Sequence, residues 1–284
     1  MVIRVEKLVK KDISYLVALS ESIGWDYNME EIQTIFHSGV VYGGKNEQGE
    51  IIASAAIILY GEQLVAIGMV IVHPSYKGRG IGRRMTEVCI RNVSEHTPIM
   101  LIATEEGKPL YEKIGFQVVS HVSKYICDKY VTPMEYYRNE HLIFVDYDEE
   151  DIHGIVKLDE DAFGVNRSRF IKKRVEQCEQ CVVVKDKENH IVAYGMSIET
   201  PTNRIVGPIV ASNDQLAATI IHHLAKDYEG HLRIDVPAGK ESFMPNLEIC
   251  GFKKVNEPPI MMKNDNQFLK RNGELYGIAA QIFG

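Results

Sequence analysis

Met69-Val70-Ile71-Val72-His73-Pro74-Ser75-Tyr76-Lys77-Gly78-Arg79-Gly80-Ile81-Gly82-Arg83-Arg84-Met85 decides the reading of this chain. An apolar run ends at a proline, passes three alternating glycines and opens into a helical segment from Arg83 to Val93. A strand that feeds a glycine-rich turn and a helix N-terminus presents several free backbone N–H groups at one point, and those groups with the helix dipole attract phosphate. Lys77, Arg79, Arg83 and Arg84 add positive charge there. The stretch therefore reads as a pyrophosphate-binding turn. It is neither of two common phosphate loops. Arg83 stands where the third glycine of a dinucleotide fingerprint would fall, and no Gly-Lys-Ser/Thr follows. Glycines alone would also suit a tight turn that needs positive φ.

Outward from this stretch, 284 residues suggest one large or two ordinary domains, and 45% hydrophobic with 25% charged residues is ordinary for a globular protein. A net charge of -7 argues against bulk attraction to nucleic acid or to an anionic membrane. The N-terminus lacks a signal-peptide core, and no apolar run approaches the roughly 20 residues of a membrane helix. Five scattered cysteines fit a reducing cytoplasm, so a cytoplasmic location is expected. Cys178 and Cys181 form a lone Cys-x-x-Cys. Without a second ligand pair they read as two semi-buried thiols, and no metal is expected.

The order of elements is α/β. Val2–Val5, Val40–Gly44, Ile51–Leu59, Glu62–Val72, Ile99–Ala103 and Phe116–Val122 read as strands. Lys10–Ser22, Met29–Phe36, Met85–Val93 and Lys108–Ile114 read as helices, the last capped by Gly115. From residue 128 the character changes and the chain restarts. Glu50-Ile51-Ile52-Ala53-Ser54-Ala55 is echoed by His190-Ile191-Val192-Ala193-Tyr194-Gly195. Leu110 to Phe116 is echoed by Asn246 to Phe252, in the same order and at nearly the same spacing. Two such echoes indicate a duplicated domain.

The Val72–Gly82 stretch and Leu110-Tyr111-Glu112-Lys113-Ile114-Gly115-Phe116 resemble the GNAT acetyltransferase superfamily. Lys77 departs from that family's Gln/Arg at the first loop position. The resemblance implies two GNAT-like domains, each a mixed, mostly antiparallel twisted sheet flanked by helices, with splayed central strands in the first. It implies a catalytic domain over 1–128, a linker over 129–141, and a degenerate domain over 142–284 that walls off substrate or forms a homodimer contact. It also implies acetyl-CoA as cosubstrate. Val70, Ile71 and Val72 would meet pantetheine and the acetyl carbonyl. Lys77, Gly78, Arg79, Gly80, Ile81, Gly82 and Arg83 would hold the pyrophosphate. Tyr111 falls at the family's general-acid position. With a thiol near pKa ~8.5 and a phenol near ~10, it could pass a proton at little cost. Thr104 replaces an asparagine and could still bind the cosubstrate, and Ala66 replaces a glutamate. The general base stays open among Glu30, Glu62, Glu105, His73 and a water chain. Trp25 and Tyr27, between the first two helices, would wall the acceptor pocket.

The second half lacks this machinery. Val206 to Gln215 carries no glycine series and no basic cluster, Ser212, Asn213 or Asp214 would simply cap a helix, and Leu247 takes the tyrosine position. Phe163 to Arg167 reads as a turn joining helices. The expected activity is direct acetyl transfer to a primary amine, on a small molecule or on a protein, in a ternary complex. A non-catalytic CoA sensor or interaction module is the alternative.

Overall fold

The chain is described here by a computed structural model that covers residues 3–133, 139–265 and 270–284. From the N-terminus the elements are β1 (Arg4–Lys7), α1 (Ile13–Glu21), α2 (Met29–Ser38), β2 (Gly39–Lys45), β3 (Ile51–Tyr60), β4 (Leu64–Val72), α3 (Ile81–Arg91), β5 (Ile99–Ile102) and α4 (Lys108–Lys113). There follow β6 (Gln117–Cys127), β7 (Ile143–Asp146), α5 (Ile152–Phe163), α6 (Ser168–Gln177), β8 (Gln180–Lys185), β9 (Ile191–Glu199), β10 (Arg204–Val210) and α7 (Asp214–Ala225). The last are β11 (Leu232–Pro237), α8 (Met244–Ile249), β12 (Lys253–Asn256), β13 (Pro259–Lys263) and β14 (Leu275–Gly277).

Two compact units result. One joins Met1–Val119 with Pro259–Phe268 and Ile282–Gly284, and the other joins Ser120–Pro258 with Leu269–Gln281. This cut runs differently from the boundary that the change of character at residue 128 suggests. In the first unit β1, β2, β3, β4 and β5 stand in order, and β13 pairs antiparallel with β5 from Ile260↔Ile102 to Lys263↔Ile99. The strand that completes this sheet thus comes from late in the sequence. In the second unit the order is β7, β8, β9, β10, β11, then β6, with Leu232↔Cys127 through Pro237↔Val122. Each unit is therefore completed by a strand that linear order would give to the other. Val2 of the expected first strand and residues 134–138 of the expected linker lie outside the described residues.

The first core explains why the strands hold their faces. Ala53, Ala55, Ile57, Val65 and Ile67 from β3 and β4 bury against Ile81, Met85 and Cys89 of α3. Met85 and Cys89 are fully buried. Truncating a buried methionine to alanine costs about 2–5 kcal/mol, so this one helix face contributes a large share of a domain's stability. The second unit repeats the plan, with Leu216, Ala217, Ile220 and Leu224 of α7 against Val206 and Ile209 of β10 and Ile234 of β11.

Candidate active site

The site grows out of an irregularity in β4. Pairing with β3 runs Ala53↔Val72, Ser54↔Ile71, then Ala56↔Gly68, so β4 carries one residue more than β3 over this interval. The extra residue is accommodated at Met69, which takes φ 49. The Ser54 hydroxyl donates to the Met69 carbonyl at 2.9 Å and fixes the bulge from a fully buried position. On its other side β4 runs parallel to β5 only at Val65↔Ile99 and Ala66↔Met100. Beyond Ala66 the two strands no longer pair, which leaves a slot beside β4, with the Ile282 side chain against Gly68 at its start.

The chain leaves that slot through His73 and a single 3-10 turn, Pro74–Tyr76, and then turns through Gly78 at φ 76 and Gly80 at φ 73. A left-handed backbone is costly for any residue with a Cβ, so glycine is dictated at both positions. A Cβ on either would meet nothing within 4 Å, so the space beside this backbone is open. Gly80 is the N-cap of α3 and supplies no side-chain cap, and the first turn holds no acidic residue. The leading N–H groups of α3 are thus left for an anion. Arg79 lies over the Tyr76 ring at 5.5 Å and donates to the Ser75 carbonyl at 3.3 Å. Lys77 pairs with Glu106 at 3.1 Å and Arg83 with Glu87 at 2.8 Å, so two of the expected cations are shared with carboxylates.

Val70, Val72 and Tyr111 pack against the same buried cluster, which brings the phenol to the α3 side of the slot. The α4 backbone sets it there. Gly107 N donates to the Thr104 hydroxyl oxygen and carbonyl, each at 3.1 Å, and Phe116 N returns to the Tyr111 carbonyl at 3.0 Å. Gly115, at φ 93, closes the helix as the sequence predicts. Burial pushes the Tyr111 phenol up to about 12, with the neighbouring Cys89 adding to it. That corrects the expectation of a nearly cost-free proton donor. Thr104, an expected cosubstrate contact, is exposed at the start of the α4 segment, and its hydroxyl oxygen accepts from Gly107 N.

The expected acceptor residues form one loop. Trp25 and Tyr27 are half-buried with rings edge-on at 6.1 Å, and Trp25 N donates to the Ser20 carbonyl at 3.0 Å. Two of the candidate bases lose ground. His73 Nδ1 accepts from Ser75 N at 3.3 Å, so in the neutral ring the proton is on Nε2 and no lone pair is left over. Glu62 sits at the β3–β4 tip, two residues before β4 begins at Leu64, and the six-residue rise from Leu64 to Val70 alone spans about 20 Å. Glu30 and Glu105 are exposed. Sequence reasoning missed Glu31, which is buried on α2 together with Thr34 and Ser38. The signal was there: three polar residues at i, i+3 and i+7 share the face of Ile32 and Ile35. A cleft of about 700 Å³ opens between α1 and the β2–β3 turn as far as His73, and neither Trp25, Tyr27 nor Tyr111 lines it.

The second unit repeats the slot and fills it. β10 runs parallel to β11 only at Arg204↔Leu232 and Ile205↔Arg233, and its pairing with β9 also shifts register between Val206 and Ile209. Into the opening comes β14, paired as Ile209↔Gly277 and Val210↔Leu275, and Ile278 N donates to the Asp235 carbonyl at 2.9 Å. The Tyr276 hydroxyl donates to Asp214 at 2.7 Å, at the start of α7, and the Lys240 ammonium lies 3.5 Å from the Tyr276 ring centroid. Asn213 caps α7 by accepting from Leu216 N at 3.0 Å. Leu247 stands where Tyr111 stands in the first unit, and Phe252 N returns to its carbonyl at 3.1 Å.

Residues 37–118 and 155–277 each match a family model described as an acetyltransferase (GNAT) domain. Over 279 residues the chain is 35% identical to the Bacillus subtilis protein named Uncharacterized N-acetyltransferase YitH, covering 98% of this chain and 97% of that one. The chain belongs to the GNAT acetyltransferase family. A second relative, Holothin acyltransferase from Pseudoalteromonas, is 22% identical over 241 residues, 81% of this chain and 78% of its own. A putative acetyltransferase from Pyrococcus horikoshii shares the fold at TM-score 0.78 and 19% identity over 99% of this chain and 96% of its own. A tandem GNAT protein from the clavulanic acid pathway shares it at 0.65 and 10% identity, over 92% and 98%. The two slots are thus two copies of the GNAT fold, and the protein is an acyltransferase. Among the described residues no helix is long and apolar enough to cross a membrane. Among them, too, the one cluster spaced to hold a cation is Asp186, Glu188 and His190, in an exposed turn where Asp186 already accepts from the N–H groups of Glu188 and His190.

Proposed function

We propose that this GNAT protein moves an acetyl group from acetyl-CoA to a primary amine by direct transfer, in the first unit alone. The observation that carries the reading is the β4 bulge at the mouth of the β4–β5 slot, continuing without a break into the glycine turn and the bare N-terminus of α3. The slot offers a strand edge to the amide-rich pantetheine arm, and the Gly78–Arg83 backbone offers N–H groups to a pyrophosphate.

In this reading the Val70 N–H donates to the thioester carbonyl oxygen. One such backbone donor, aimed where negative charge develops, is worth roughly 3 kcal/mol. Tyr111 donates a hydrogen bond to the leaving sulfur. A phenol near 12 facing an alkyl thiol near ~8.5 would give up its proton only at about 5 kcal/mol uphill, so Tyr111 stabilises the sulfur's charge rather than losing its proton outright. Trp25 and Tyr27 offer ring faces to the acceptor amine. Glu31 is a buried carboxylate on the helix that follows that loop.

Calorimetry with acetyl-CoA, and thiol release across small amines, amino acids and lysine peptides, test this. Binding of acetyl-CoA but not of ATP or NAD, with thiol release for one amine class, is expected. Lack of acetyl-CoA binding overturns the reading.

A further inference from the structure

The Ile282–Gly284 segment follows β14 in sequence and belongs to the first unit. Ile282 and Phe283 are buried. The Tyr60 hydroxyl, at the end of β3, donates to the Phe283 carbonyl at 2.6 Å and anchors the segment. Ile282 in turn lies on Gly68 of β4. A Cβ on Gly68 would stand 2.5 Å from Ile282 Cγ1, 3.0 Å from its Cβ and 3.1 Å from its Cδ1. The isoleucine side chain thus fills the space that a larger residue at 68 would need.

The strand fixes where that side chain stands. Val65 and Ile67 belong to the α3 cluster, and Val70 and Val72 pack against it. Strict alternation would put 65, 67, 69 and 71 on one face, and the extra residue at Met69 shifts the later pair. Gly68 therefore looks to the face away from α3, and Ile282 covers it there. Ala66↔Met100 is the last pair before β4 and β5 separate. Ile282 thus borders the closed end of the slot, two residues from Val70, or about 6–7 Å along a strand.

We propose that Ile282 sets the length of the acyl group that the first unit accepts and holds it to acetyl. This rests on reading the β4 edge as the cosubstrate site. In that reading the pantetheine arm runs from the glycine turn past Val72 to Val70, where the thioester carbonyl is held. A group that continues from the acyl carbon along the same line heads for Gly68 and meets the Ile282 side chain. A methyl stops short of it. Each further methylene has to displace a buried isoleucine whose neighbour, Phe283, is tied to Tyr60. The transfer is the same for any length: the amine nitrogen attacks the acyl carbon, the C–N bond forms, the C–S bond breaks, the sulfur leaves with the electron pair and is protonated, and the amine gives up a proton. Length is therefore read in binding. An apolar wall separates groups that differ by one methylene by about 10–200-fold.

The test is calorimetry of the full chain with CoA, acetyl-CoA, propionyl-CoA and butyryl-CoA, on the wild type, Ile282→Val and Ile282→Ala. In the wild type butyryl-CoA should bind at least about 10-fold more weakly than acetyl-CoA. Ile282→Val, which loses the Cδ1 methyl, should improve propionyl-CoA by about 10-fold, and Ile282→Ala should do the same for butyryl-CoA. Neither should move the Kd of CoA, which carries no acyl group, whereas a purely structural role would weaken all four ligands alike. Equal affinity of the wild type for the three acyl-CoAs overturns the proposal and leaves the reading of the site standing. So does unchanged selectivity in the variants, or a parallel loss of all four ligands in the valine variant. A wild type that binds none of the four overturns that reading and the proposal with it. Should the alanine variant fail to fold, the wild-type series and the valine variant, which lacks a single methyl, decide the matter.

Discussion

At the scale of single residues the decisive quantity is the protonation of Tyr111. An ordinary phenol near pKa ~10 would begin to ionise just where an acceptor amine becomes fully neutral. Burial moves the Tyr111 phenol up to about 12, so the protonated form persists. The sign follows: rates rise with pH as the amine loses its proton, and the alkaline fall that an ordinary tyrosine would bring is displaced upward. We expect kcat/KM to hold a plateau to about pH 11, measured with an amine acceptor and thiol detection. Tyr111→Phe should lower kcat by about 100-fold or more and leave the acetyl-CoA Kd unchanged. A descending limb near pH 9, or full activity in the phenylalanine variant, removes Tyr111 from the reaction. The position of this tyrosine was legible in the sequence because Gly115 and Phe116 fix the end of its helix. Its burial was not, because burial depends on Cys89 and the rest of the α3 face arriving from elsewhere in the chain.

At the scale of elements the glycine turn was legible for a local reason. Gly78 and Gly80 occupy backbone conformations that other residues resist, so their presence announces the turn whatever surrounds it. The bulge in β4 was not legible, since one extra residue in a strand appears only when its partner is aligned with it. β14 was missed altogether: it has three residues, and it is a strand only because β10 is there to pair with. Its seat has a sharp requirement. A Cβ on Gly207 would lie 2.1 Å from the Ile278 carbonyl oxygen, a backbone atom that cannot swing aside. Gly207→Ala should therefore lift β14 from the second slot. The expected loss is about 2–4 kcal/mol of stability in urea, with amide exchange around residues 275–278 accelerated ahead of the rest of the second unit. Unchanged exchange in that segment would mean that β14 does not depend on the close approach.

At the scale of the whole molecule, the duplication was legible and the assignment of strands was not. The echo of residues 50–55 in 190–195 reports two copies of one fold, because equivalent strands meet equivalent surroundings. Strands β6 and β13 carry no comparable label. Neither pattern names a sheet, and the partner is chosen by long-range pairing that local pattern does not encode. The two copies differ most in what fills the slot, and from that difference the number of cosubstrate sites can be argued. Among the described residues of the first unit no strand pairs with β4 beyond Ala66 on its β5 side, and the α3 N-terminus has no side-chain cap. In the second, β14 occupies the edge of β10, Asn213 has taken up an N–H of the first α7 turn, and Asp214 places a carboxylate where a phosphate would sit. Calorimetry should therefore return one acetyl-CoA per chain. Gly80→Val, which forces a β-branched residue into the left-handed region, should bring that number to zero rather than uncover a residual site. Two sites in the wild type, or one surviving in the variant, would show that the second slot opens to the cosubstrate despite its internal strand.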